Sequence, residues 1–166
     1  MEARPEPALP ELLTSTADFA ARATQMVSAA RMDVALLTQE LDRRIYGSGI
    51  FTESLRRFVL QHSHTKVRIL VNSTQVAVAN SPRLVEFGRN LSSFVEFREL
   101  LQERRMVVRE EVLLTDGRVL LYRETPQDLE SKFYGASPDV ARLKLKEFNQ
   151  LWDESEPAQE LRKLGI

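Results

Sequence analysis

In "STADFAARATQMVSAA" the apolar residues Phe19, Ala23, Met26, Val27 and Ala30 recur at helical spacing, and Ser15 or Thr16 stands where an N-cap belongs. The pattern predicts a helix of about four turns. "MDVALLTQ" then reads as a short, continuously apolar strand of the kind buried on both faces. The chain opens into a loop at Gly47 and Gly49, and Thr52 starts a second helix that turns Leu55, Phe58 and Val59 inward. "KVRILVN" is a second buried strand. Ser81 and Pro82 mark the start of a third helix, "NSPRLVEFGRNL". In "SFVEFREL" Phe94, Glu96 and Arg98 alternate against Val95 and Phe97, which predicts a third strand with one face more polar.

The second half changes character. "MVVREEVLLTDGRVLLYRE" is two strands around Asp116-Gly117, a strong short-range hairpin signal. After an irregular stretch with Pro126, Gly135 and Pro138, "PDVARLKLKEFNQLWDES" forms an amphipathic helix presenting Val140, Leu143, Phe148, Leu151 and Trp152. Helices alternating with strands build parallel sheets through right-handed crossovers. The fold expected is therefore α/β, a mostly parallel sheet with one antiparallel hairpin and helices on both faces.

At 166 residues the chain fits a single domain large enough to bury its own core. Its 23 basic and 24 acidic side chains are too evenly matched to attract nucleic acid or anionic lipid at long range. The arginine pairs at 43–44, 56–57 and 104–105 have acidic neighbours and read as solvated surface, although a nucleic-acid module using them is an alternative. Cysteine is absent, which removes disulfides and thiolate chemistry, and two histidines exclude a three-histidine metal site. No apolar run approaches the length of a membrane span. The acidic, proline-containing start is unlike a secretory signal, so the expected setting is cytoplasmic, with a flexible arm over 1–14, a domain over 15–155 and a tail, with a short helix, over 156–166. No cofactor is expected.

Candidate chemistry gathers in two places. The end of the first strand, "TQELDRRIYG", offers Gln39, Glu40, Asp42 and Tyr46 to a crevice at the carboxyl ends of parallel strands, where open α/β sheets bind ligands; the plain alternative is a loop plugging the core edge. A non-standard enzyme site would combine that crevice with His62 or His64. Those histidines also sit where a helix ends, in position to complement its terminal carbonyls. The second place is "REEVLLTDG", where charged residues flank apolar strand sequence. The nucleotide-binding glycine signatures and the nucleophile elbow are absent.

The order of elements, the hairpin and the closing Phe148, Leu151, Trp152 and Ser155 together resemble one repeat of the phospholipase D superfamily. That family carries H-x-K-x-x-x-x-D on a strand, then a glycine and a returning strand. Here Asp116 and Gly117 match the aspartate and glycine, while Arg109 stands at the histidine position and Glu111 at the lysine position. The small-residue stretch expected after the returning strand reads "RETP", residues 123–126. The resemblance implies a covalent phosphohistidine mechanism in active members, which a permanently protonated arginine cannot support. It therefore points to a catalytically inactive domain of binding or assembly, one repeat of a fold whose active members use two, so that pairing with a second copy is expected. Arg109, Glu111 and Asp116 are expected to converge as an internal charged cluster; an anion pocket centred on Arg109 is the other reading.

Overall fold

The computed structural model describes residues 9–135 and 137–158. Among them are eight strands, β1 (Glu11–Leu13), β2 (Asp33–Thr38), β3 (Lys66–Val71), β4 (Val95–Glu99), β5 (Glu111–Thr115), β6 (Val119–Arg123), β7 (Ser131–Tyr134) and β8 (Glu156–Pro157). They form one sheet in the order β1-β7-β6-β5-β2-β3-β4-β8. Six α-helices accompany it among the described residues: α1 (Thr16–Ala29), α2 (Arg43–Tyr46), α3 (Gly49–Gln61), α4 (Thr74–Asn80), α5 (Pro82–Asn90) and α6 (Pro138–Glu154).

The expected helix–strand alternation from α1 to β4 is present, and β2, β3 and β4 are parallel. The sheet as a whole is nevertheless mixed and mostly antiparallel, which corrects the mostly parallel sheet expected from the sequence. The hairpin β5–β6 docks antiparallel on β2. Three short strands then join antiparallel at the margins, β7 on β6, β1 on β7, and β8 on β4. Each is two to four residues long, too short for a period-2 pattern to register. Thus Glu11–Leu13, inside the expected arm, and Glu156–Pro157, at the start of the expected tail, are both in the sheet. Residues 1–8 and 159–166 lie outside the described residues.

Alternate residues of the central strands feed two cores. Val34 and Leu36 of β2 point with Ile69 and Val71 of β3 into a core covered by α1 to α5, whereas Ala35, Leu37 and Leu70 point to the opposite face. There α6 lies with Ala141 and Phe148 buried. Arg68 holds its guanidinium over the rings of Phe148 and Trp152, at 5.0 and 5.6 Å, and Arg98 reaches Trp152 at 5.5 Å. Ser15 caps α1 by accepting from the Asp18 N–H. Ser81 occupies the N-cap position of α5 as expected, but its hydroxyl donates to the Leu41 carbonyl instead of capping.

Candidate functional site

Register fixes where the charged hairpin residues fall. Leu37 faces Val112, which brings Glu111 beside Thr38 at the carboxyl end of β2; Val34 faces Thr115, which brings Asp116 beside Asp33 at the amino end. Glu111 and Asp116 therefore stand at opposite ends of β5. Arg109 precedes the strand, is exposed, and makes no ion pair among the described residues. The expected convergence of Arg109, Glu111 and Asp116 does not occur, because the spacing that relates them runs along the sheet rather than across a cleft.

Asp116 has a structural task. It takes a left-handed φ of 54°, followed by Gly117 at 62°, and the turn is closed by the Arg118 N–H on the Thr115 carbonyl. Its carboxylate accepts from the backbone N–H groups of Arg31, Met32 and Asp33 at 2.7–3.2 Å, fastening the hairpin to the start of β2. Asp33 is its half-buried neighbour, and burial together with the Asp116 charge raises the Asp33 carboxyl above its ordinary value.

Glu111 is 1% exposed. Its Oε1 accepts from Thr38 Oγ1 at 2.8 Å and from the Gln39 N–H at 3.1 Å, and its Oε2 accepts from the Tyr46 hydroxyl at 2.9 Å. Both oxygens are thus committed within the protein. Burial raises the Glu111 carboxyl; the bonds from Thr38 and Gln39 and the Arg123 charge pull the other way without cancelling it. Tyr46, wholly buried against Phe51, has its hydroxyl pushed well above the ordinary value by burial and by Glu111.

The cation opposite Glu111 is Arg123, its cross-strand partner in the hairpin. Arg123 is 2% exposed, stacks its guanidinium 5.0 Å from the Phe19 ring and lies 3.9 Å from Asp42 Oδ2. Asp42 is itself occupied: it accepts from the Arg44 N–H, Nε and Nη2 at 2.7–3.1 Å. Burial works against its ionisation, but the Arg44 bonds and the Arg123 charge carry the carboxyl below its ordinary value.

Arg123 is the residue that the sequence reading passed over. A signal existed: Glu111 and Arg123 are each six residues from Gly117, so a symmetric hairpin places them face to face, and Arg123 shares the inward phase of Leu121.

Above this buried pair lies the expected crevice. A hollow of about 620 Å³ is lined by Gln39, Glu40, Asp42, Arg43 and Glu111 among others, and one of about 230 Å³ by Asn72, Ser73, Arg105 and Arg109. The two share Gln39, Glu40, Pro126 and Gln127. Gln39 is a cross-link, donating to the Glu110 carbonyl and accepting from Asn72. Arg105 pairs with Glu99, which also accepts from Thr74. His62 and His64 are not part of the crevice. His62 caps the end of α3 and both precede β3 at its amino end, a full strand length from Glu40. Among the described residues no three His, Asp or Glu side chains gather as a metal site.

The fold is phospholipase D-like. Nuc from Salmonella typhimurium, a phospholipase D family member, superposes with a TM-score of 0.62 at 9% identity, over 89% of this chain and 97% of Nuc. Phosphatidylserine synthase of Haemophilus influenzae Rd KW20 gives 0.61 at 13% identity, over 96% of this chain and 44% of the synthase. TrmBL2, an archaeal chromatin protein with a novel mode of DNA binding, gives 0.67 at 12% identity, over 95% of this chain and 57% of TrmBL2. The chain thus spans little more than half of TrmBL2 and less than half of the synthase. At the level of sequence, residues 15–164 match the family described as Domain of unknown function (DUF7931), and the chain belongs to that family. No curated protein sequence matches it. Among the described residues no helix is long and apolar enough to cross a membrane.

Proposed function

We propose that this chain is a catalytically inactive phospholipase D-like domain that acts by binding at the crevice over β2 and β3, as a pair of copies. One observation carries the loss of catalysis: Glu111, at the position where the superfamily pattern has lysine, is buried with both oxygens bonded and is matched by Arg123, where the pattern has a small residue. The charge sense of the floor is inverted and then neutralised internally. A phosphoryl group would meet a carboxylate there instead of an ammonium, and Arg109 offers no nucleophile.

Binding is supported by what remains accessible. Arg109 and Glu40 line the crevice exposed, and Met106 and Val107, 78% and 73% exposed, project from the segment between Arg105 and Arg109. Apolar side chains displayed beside a cleft suit a protein partner. A second copy is the partner that the resemblance implies. Intact-mass spectrometry after incubation with a phosphodiester tests the catalytic half: an unmodified chain is expected, and a phosphoryl adduct overturns it. Light scattering tests the pairing, with a dimer expected that Met106→Ser with Val107→Ser dissociates. A monomer at high micromolar concentration overturns the assembly reading.

A further inference from the structure

Continuing the hairpin register one step past Tyr122 opposite Lys132 sets Arg123 against Ser131, and Ser131 in turn faces Leu13 of β1. Glu111, Arg123 and Ser131 therefore form a polar row across three strands, all buried on the face that α1 covers. The row is incompletely bonded. Arg123 Nε and Nη2 and Ser131 Oγ have no hydrogen-bond partner among the described residues. These two nitrogens form one edge of the guanidinium, the fork that receives a carboxylate through two parallel bonds. Neither neighbouring acid fills the fork, because Glu111 is committed to Thr38, Gln39 and Tyr46, and Asp42 to Arg44. Buried donors left without an acceptor are expensive, and ones that persist call for an explanation.

Arg123 and Ser131 both line a cleft of about 500 Å³ that does not include Arg109, and Glu124 and Gln127 to Glu130 form one side of it. The hydrogen bond that links this segment to the guanidinium is a long one, from Nη1 to the Asp128 carbonyl at 3.5 Å. The rim sets the chemistry. Leu12 and Leu129, 60% and 63% exposed, supply an apolar wall. Glu124, Asp128 and Glu130 supply carboxylates that form no ion pair among the described residues, against Lys132, a cation likewise without one among them. With Glu111 and Asp42 already balancing Arg123, a dianion is repelled, and a bare monoanion still meets the acidic rim.

We propose that this cleft binds a small zwitterion of the α-amino-acid type. Its carboxylate takes the Arg123 fork and the Ser131 hydroxyl, its ammonium faces the acidic rim, and its apolar side chain lies on Leu12 and Leu129. This site adjoins the crevice, sharing Gln127 and Leu129 with its larger hollow, but is centred on Arg123 and Ser131 and does not depend on the loss of catalysis.

The test is titration of the full chain, labelled with ¹⁵N at arginine Nε, with L-leucine, 4-methylpentanoate and inorganic phosphate at constant ionic strength. The Arg123 Nε–H resonance is expected to shift saturably with leucine below about 10 mM. 4-Methylpentanoate, which lacks the ammonium, should bind about tenfold more weakly, and phosphate should leave the resonance in place. Ser131→Ala removes only an unbonded hydroxyl from the fold and should weaken leucine binding about tenfold. No saturable shift with leucine overturns the proposal. So does phosphate acting as well as leucine, or a Ser131→Ala protein that binds leucine undiminished.

Discussion

Removing one charge of the Glu111–Arg123 pair should be far more damaging than removing both. Glu111→Gln keeps the volume and an oxygen for the Tyr46 hydroxyl or Thr38, but leaves the Arg123 guanidinium, 2% exposed, with only Asp42 at 3.9 Å. Breaking a buried pair typically costs about 3–5 kcal/mol; Glu111 and Arg123 face each other across the hairpin without a direct ion pair, so the loss should lie at the lower limit, about 3 kcal/mol. Arg123→Met strands the Glu111 carboxylate, which burial already disfavours, and should lose a similar amount. If the two effects were independent, the double variant would lose about 6 kcal/mol. Because the pair is one unit, Glu111→Gln with Arg123→Met should lose no more than about 3 kcal/mol, a coupling of at least about 3 kcal/mol. Urea unfolding of the four proteins at pH 7 measures this directly. A coupling below about 0.5 kcal/mol would refute the claim that the two side chains neutralise each other in the folded chain.

The other expectations concern the two ends of the sheet. Asp116→Ala leaves three backbone N–H groups without their acceptor and should destabilise the fold by about 2–3 kcal/mol in the same assay. Asp33 has a carboxyl raised above its unfolded value of 3.8, so it ionises less readily in the folded state. It therefore favours folding when protonated, and that contribution fades as pH rises from about 3.8 through the folded value. Asp33→Asn should accordingly gain stability at pH 7 relative to wild type and show a flatter stability profile above pH 4. Gly88 faces β4 so closely that an added Cβ would lie 2.1 Å from Phe97 Cε2, and Gly88→Ala should lower stability by about 1–3 kcal/mol through overpacking. Arg109→Ala, at an exposed residue without an ion pair, should change stability by less than about 0.5 kcal/mol.

The long periodic segments disclosed themselves: α1, α6, the three parallel strands and the Asp116-Gly117 hairpin all stand where residue pattern put them. The short marginal strands did not. β1 follows a proline and β7 lies in a stretch punctuated by turn residues, and their pairing is decided by the neighbouring strand edge rather than by local sequence. Gln39, Glu40 and Asp42 line a hollow where the sequence placed a crevice, because they follow a buried strand that ends at a crossover, whereas Tyr46, expected beside them, is buried and lines neither hollow. The arrangement of charge was not, because a linear motif hides which end of a strand each residue reaches. His62 and His64 precede their strand and so fall at the sheet's other end, and Asp116 closes a turn. Arg123 needed hairpin register, not composition, to be seen as the partner of Glu111.

The most direct test of the central claim is turnover of a chromogenic phosphodiester by the purified chain and by Arg109→Ala, across pH 5 to 9 at about 10⁻⁵ M protein. The Glu111–Arg123 floor predicts product release at the buffer rate for both proteins at every pH. Release that scales with protein concentration and disappears in Arg109→Ala would contradict it.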